Sequence, residues 1–425
     1  MFTDLIKANQ KENSFFKISR LKIAIVSAIL IVLGTSNIVF TVLAFGLNAF
    51  FIVLNNSDET LLQLFFLCPF ANIFKISATS SSIFTYLLIL WVIKTFIKER
   101  YIDKNFIIMW LIYVGYSILG SSLNITLLIK QMVIPVFVFL CLQKIKITLD
   151  EVIGAYGFGL LLSSAISLWL TSWFPGLNNY IGNVRAWGLT SEVFRFCGMY
   201  TDPNYYSLAL ILTLSCILLL YIYKKIGNIA LIIYCIFLYF GAQTVSKSFL
   251  LMAVVSAVIM FFMMIKNKRY GIAVLYATGI ITVLILTLYG DTTIFSNTLM
   301  RLTSNSDVTT GRMESWKTYV EYLKLVPFYL LLGRGISAPY LNGVAPHNTY
   351  IDFLYYYGVL GSVIYWINLI YVIRKSKRIR RRSISNYLPL ICVCIMLGFL
   401  SCGLYYDFAF TITIVFLALN KDWSK

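Results

Sequence analysis

The chain has 425 residues, of which 60% are hydrophobic and 12% charged, and its mean hydropathy is +0.82. So little charge cannot cover a water-compatible surface, which excludes a soluble globular protein and leaves an all-α polytopic membrane protein. The formal net charge is +18, but the cations fall in short clusters between apolar runs, so topology and attraction to anionic lipid explain them better than nucleic acid does.

Residues 1–20 are polar and basic and lack a small-residue cleavage site, so they are expected to form a cytoplasmic tail. Beyond them, apolar runs of the length that crosses a hydrocarbon core recur along the whole chain. Spans are predicted near 21–36, 38–54, 60–74, 80–97, 105–120, 123–142, 149–173, 203–223, 228–245, 248–265, 270–290, 348–373, 387–403 and 405–420. That makes about 12–14 transmembrane helices in a single integral membrane domain over 1–425, with both termini inside. Basic clusters at 7–22, 94–104, 144–146, 224–225, 266–269 and 374–382 then all face the cytoplasm, and two long loops, 174–202 and 291–347, face outward. No internal repeat or heptad stands out.

Seven of the eight cysteines fall mostly within predicted spans, Cys197 lies in an outer loop, and no CxxC is present. With a single histidine, a zinc or iron–sulfur site has little support, so no metal is expected. The chain has no GxGxxG fingerprint, phosphate loop or DxD pair. Nucleotides and nucleotide sugars are therefore poor substrates to expect.

The polar residues that remain crowd the outer side. In the first loop, Arg195 is followed by Gly198 and by Asp202-Pro203-Asn204. Asp202 before Pro203 suits a helix start as cap and first residue. Arg195 fits either a phosphate, as a rigid fork, or a lipid headgroup. Gln243-Thr244-Val245-Ser246-Lys247-Ser248 reads as a tight outer turn, where Lys247 either snorkels to the interface or holds an anion with its two hydroxyl neighbours.

Thr309-Thr310-Gly311-Arg312 opens a predicted helix reaching about residue 325. Met313, Trp316, Val320 and Leu323 share one face, with Arg312, Lys317, Glu321 and Lys324 mostly turned away, so the helix is expected to lie flat on the outer membrane surface. A cation at a helix start opposes the dipole; a phosphate held by Arg312 and the first N–H groups would repair that mismatch. Then come Gly333-Arg334-Gly335, Pro346-His347-Asn348 and a hydrophobic run from 350 to 361 carrying Asp352. His347 is the sole histidine. Imidazole exchanges a proton near neutrality, so with basic groups converging on it this residue is the first candidate for acid/base chemistry.

In order, these motifs are Arg-x-x-Gly, Asp-Pro-Asn at a helix start, Ser-Lys-Ser at an outer turn, Gly-Arg leading into Trp, Gly-x-Gly, His-Asn and Gly-x-x-Gly. Over about residues 190–365 the chain resembles the bacterial O-antigen ligase and polymerase family, the Wzy-type polysaccharide polymerases among them. One departure is Lys247, where arginine is usual. The resemblance implies a GT-C-like helical glycosyltransferase, independent of metal, nucleotide and cofactor. It would act on undecaprenyl-pyrophosphate-linked oligosaccharide at the outer face of the bacterial cytoplasmic (inner) membrane. A missing metal must be replaced by fixed cations, so Arg195, Lys247, Arg312 and Arg334 are expected to clamp pyrophosphate and His347 to act as general base. Asp202, Asn204, Asn348 and Asp352 would orient sugars or His347. A polymerase of O-antigen, capsular or exopolysaccharide repeat units is favoured over a ligase, with membrane lipid, a chain-length regulator and a flippase as partners. The alternative from another class is a flippase of lipid-linked oligosaccharides, which would need ionisable groups along a midplane path and usually repeat symmetry.

Overall fold

A computed structural model describes residues 18–99, 103–119, 125–144, 146–181, 184–185, 194–223, 225–227, 229–268 and 311–375, with isolated positions between 270 and 399. The helices in chain order are α1 (Ile18–Gly34), α2 (Ile38–Leu54), α3 (Ser57–Leu67), α4 (Phe84–Glu99), α5 (Lys104–Leu119), α6 (Ile125–Lys144), α7 (Leu149–Trp169), α8 (Pro203–Ile222), α9 (Ile229–Gln243), α10 (Lys247–Lys266), α11 (Arg312–Leu325), α12 (Pro327–Leu332) and α13 (Thr349–Lys375). The strands are a two-residue ladder, β1 (Val184–Arg185) antiparallel to β2 (Phe194–Arg195). The chain is thus a helical protein. Among the described residues four helices, Leu149–Trp169, Pro203–Ile222, Lys247–Lys266 and Thr349–Tyr371, are long and apolar enough to cross a membrane. Ten of the predicted spans coincide with helices; those at 270–290 and 387–403, apart from isolated positions, and at 405–420 lie outside the described residues.

The span expected at 60–74 takes a different form. Its α-helix stops at Leu67 and passes into a 3-10 turn, Cys68–Phe70, because Pro69 withdraws a backbone donor. Eleven residues of α3 rise only about 16 Å, well short of a bilayer core. The helix is buried almost throughout and lies against α7, where Gly159 makes room: a Cβ there would stand 2.0 Å from the Phe66 carbonyl oxygen. The amide N–H groups of Gln63 and of its neighbour Asn48 find partners within the bundle. Gln63 Nε2 donates to Asn48 Oδ1 at 3.1 Å, and Asn48 Nδ2 donates to the Ala44 carbonyl at 2.7 Å.

Nearly the whole length of α8 is buried, with α7, α9 and α10 packed around it. A second, aromatic cluster joins α5, α11 and α13 through Tyr113, Tyr319, Phe353, Tyr355, Tyr357 and Tyr365. Within it, α13 breaks at Gly358, whose φ of 63° lies in the left-handed region. A break inside a helix frees carbonyls that must find other donors. The Gly333-Arg334-Gly335 segment supplies them: Arg334 N donates to Tyr355 O at 2.8 Å and Gly335 N to Tyr356 O at 2.9 Å. Tyr116 Oη lies 2.8 Å from Tyr357 O and 2.5 Å from Leu332 O, its single proton shared between the two carbonyls. The backbones meet so closely that a Cβ on Gly333 would lie 2.3 Å from Tyr356 O, and one on Gly358 would lie 2.4 Å from Gly333 N.

Candidate functional site

The site grows from helix ends. Asp202 caps α8, accepting from Asn204 N at 2.6 Å with Pro203 as the first helical residue. The turn between α9 and α10 folds tightly, with Val245 at a φ of 47°, a strained conformation for a β-branched residue. That turn meets β2: Phe196 N donates to the Gln243 carbonyl at 3.0 Å. Arg195 is thereby buried, its Nε donating to the Thr244 carbonyl at 3.2 Å and an Nη to Asn204 Oδ1 at 3.4 Å. The same Asn204 oxygen accepts from Ser246 Oγ at 3.0 Å, and Ser246 caps α10. Lys247, the first residue of α10, is half-buried beside it.

α11 brings the remaining elements in. It starts at Gly311, whose φ of 78° turns the chain into the helix with no side chain to cap it. Arg312 then reaches back to Ser248, donating to its hydroxyl at 3.1 Å. Further along the same face, α11 holds the histidine loop by its carbonyls. Ser315 Oγ donates to Ala345 O at 3.4 Å, Trp316 Nε1 to Pro346 O at 2.6 Å and Tyr319 Oη to Val344 O at 2.8 Å. Tyr319 also accepts from Leu341 N at 3.0 Å. Burial, with smaller effects from Tyr355 and Asp352, pushes the Tyr319 hydroxyl above its ordinary range, so it remains a neutral donor.

This face differs from the expected stripe. Tyr319 and Leu323 are buried with Trp316 beside them, while Met313 and Val320 are 56% and 39% exposed. Arg312, expected to turn away with Lys317, Glu321 and Lys324, points into the protein. The reason is chemical: Ser315, Trp316 and Tyr319 carry donors that the histidine loop needs, and hydrogen bonding decides the helix rotation over hydropathy.

His347 has a φ of 48°, a left-handed backbone that a non-glycine residue adopts only where its surroundings impose it. Trp316 fixes the carbonyl before it. Asn348 after it is buried and caps α13, accepting from Tyr350 N at 3.0 Å and Ile351 N at 3.2 Å. Burial lowers the imidazole's proton affinity below the usual value, Arg312 lowers it further, and Asp202 partly opposes both. The imidazole is therefore neutral at neutral pH, with a guanidinium and a carboxylate close enough to act on it. Asp352 lies buried in the first turn of α13.

Arg334 belongs to a different cluster. One Nη donates to Tyr355 Oη at 2.9 Å, and the guanidinium carbon lies 5.5 Å from the Tyr322 ring centre and 5.7 Å from those of Tyr329 and Tyr355. So Arg195, Asp202, Asn204, Arg312 and His347 come together, with Lys247 and Asn348 adjoining them in sequence, whereas Arg334 sits among tyrosines. Sequence reasoning missed Ser315, Trp316 and Tyr319 as holders of the histidine loop and Tyr322, Tyr329 and Tyr355 as the cage. For Ser315, Tyr319 and Tyr322 the i, i+4 and i, i+7 spacing on α11 was the available signal. Among the described residues no three His, Cys, Asp or Glu side chains are grouped as a metal would require.

The chain matches no family model, no curated protein and no solved structure. Fold and site together define a helical protein with membrane-spanning helices that gathers buried and half-buried cations and an imidazole of lowered proton affinity at its helix ends.

Proposed function

We propose that the chain is a GT-C-like glycosyltransferase of the bacterial cytoplasmic membrane, polymerising repeat units carried on undecaprenyl pyrophosphate at the outer face. The observation that carries this reading is His347, half-buried, its proton affinity lowered by burial and by Arg312 and partly restored by Asp202. A neutral imidazole accepts a proton, and a cation beside it suits an anionic leaving group. In the proposed step the acceptor hydroxyl gives its proton to His347 as its oxygen attacks the anomeric carbon of the donor glycan. The bond from that carbon to the pyrophosphate breaks, and the lipid pyrophosphate leaves with the electron pair. Arg312, Arg195 and Lys247 hold the departing charge together with the first N–H groups of α11. Asp202 steadies the imidazolium that results, while Asn204 and Asn348 fix the two loops.

The test uses purified full-length protein, undecaprenyl-pyrophosphate-linked repeat units and a chelator. Wild-type protein extends the units to a ladder, and His347→Asn leaves the single repeat, since the amide cannot take up a proton at neutral pH. Failure of wild-type protein to extend anything, or accumulation in His347→Asn cells of units on the cytoplasmic leaflet, overturns the reading and favours transport.

A further inference from the structure

The cations divide between two places, and the division has a chemical use. Arg195 and Arg312 serve the His347 end of α11. Arg334 is met by Tyr322, ten residues further along the same helix, a rise of roughly 15 Å. Its setting is unlike that of a structural ion pair. Among the described residues the guanidinium meets no carboxylate; its neighbours are three tyrosine rings and one phenol oxygen. Tyrosine faces hold a cation without neutralising it, and a guanidinium with one N–H engaged keeps a planar fork for phosphate oxygens. The backbone beneath is fixed, because Arg334 N and Gly335 N are bonded to the broken turn of α13.

A second feature adjoins it. Tyr329 belongs to α12, where Phe328 and Leu331 are 64% and 55% exposed, and Leu325 just before it is 81% exposed. A half-buried cation that meets no carboxylate among the described residues, bordered by an exposed apolar strip, fits a ligand with an anionic head and a hydrocarbon tail.

We infer that Arg334 with its tyrosine cage is a second lipid-pyrophosphate site, which binds the acceptor lipid. The assignment to the acceptor rests on the polymerase reading; the anion-and-tail chemistry does not. In polymerisation the donor's pyrophosphate leaves beside His347, whereas the acceptor's stays attached and must lie one repeat unit away from the attacking hydroxyl. A separation set by the length of α11 suits a short oligosaccharide stretched between the two sites.

The probe is farnesyl pyrophosphate, titrated calorimetrically into full-length protein in neutral detergent. Wild-type protein is expected to bind two equivalents. Arg334→Gln should weaken one of them about ten- to a hundred-fold and leave the other, and Arg312→Gln should do the converse. Where Arg334→Gln fails to give folded protein by thermal melting, Tyr329→Leu on α12 removes one wall of the cage and should weaken the same equivalent. Two unchanged equivalents in the Arg334 and Tyr329 variants, or loss of both together, overturns the second site. Displacement of that equivalent by phosphatidylglycerol as readily as by farnesyl pyrophosphate also overturns it, leaving an ordinary headgroup contact. Two-site binding by wild-type protein that extends no glycan would leave the site standing and remove the polymerase reading.

Discussion

Burial and Arg312 lower the proton affinity of His347 while Asp202 raises it, so the acid side of a pH profile reports three residues at once. As a general base His347 works in its neutral form; kcat/KM is therefore expected to be flat at neutrality and to fall only below the ordinary imidazole range. Arg312→Gln removes a positive neighbour, which raises the imidazole pKa and moves that acid limb to higher pH. Asp202→Asn removes a negative neighbour and moves it lower. Acid limbs that coincide in wild type and both variants would discard the electrostatic grouping. His347→Asn should cost about 10² to 10⁴ in rate. Arg312→Lys should retain part of the activity, because an ammonium keeps the charge and loses the fork. The order of polar motifs made these residues legible in the sequence. The rotation of Arg312 toward Ser248 was hidden, because hydropathy treats Trp316 and Tyr319 as apolar surface and not as donors to a loop thirty and twenty-five residues away.

At the scale of elements, the broken α13 and the Gly333-Arg334-Gly335 segment form one unit. Glycines were visible at 333, 335, 358 and 361, but not that the first pair docks on the break made by the second. Pairing of backbone groups across twenty residues leaves no periodic trace in the sequence. Gly358→Ala and Gly333→Ala should each cost more than the roughly 1–3 kcal/mol of a strained backbone, since each also drives a Cβ to within 2.5 Å of backbone atoms. Tyr116→Phe removes the donor to both Leu332 O and Tyr357 O and is expected to cost about 1–3 kcal/mol. Thermal unfolding of the purified variants in one detergent gives the comparison. A Gly358→Ala protein as stable as wild type would mean that the break is not required by the packing around it.

For the whole molecule, the positions of the helices followed from apolar length alone, which is why α1, α2, α8 and α10 begin and end close to the predicted spans. α3 was the exception, since hydropathy cannot distinguish a bilayer span from a shorter helix wrapped in protein. Hydrogen bonds nonetheless give the two ends of the bundle. At one, Lys146 N donates to Asp58 Oδ1 at 3.1 Å, Trp91 Nε1 donates to Ser57 O at 3.1 Å, and Lys94 donates to the Ile52 and Asn55 carbonyls. At the other, Asn72 Nδ2 donates to Tyr180 O at 3.2 Å and Met199 O at 3.1 Å, and Ser82 Oγ donates to Ala71 O. Lys94 and Lys146 lie at the first end and the candidate site adjoins the second, which under the positive-inside rule supports the proposal that the site faces outward. Cysteines placed at the exposed positions Asn178 and Lys317 should react with an impermeant thiol reagent in intact spheroplasts, and a cysteine at Lys98 only after permeabilisation. Native Cys197 is buried and should stay silent in both conditions. Labelling at Lys98 in sealed cells with protection at Asn178 would invert the molecule. His347 would then face the cytoplasm, away from any glycan displayed on the outer leaflet.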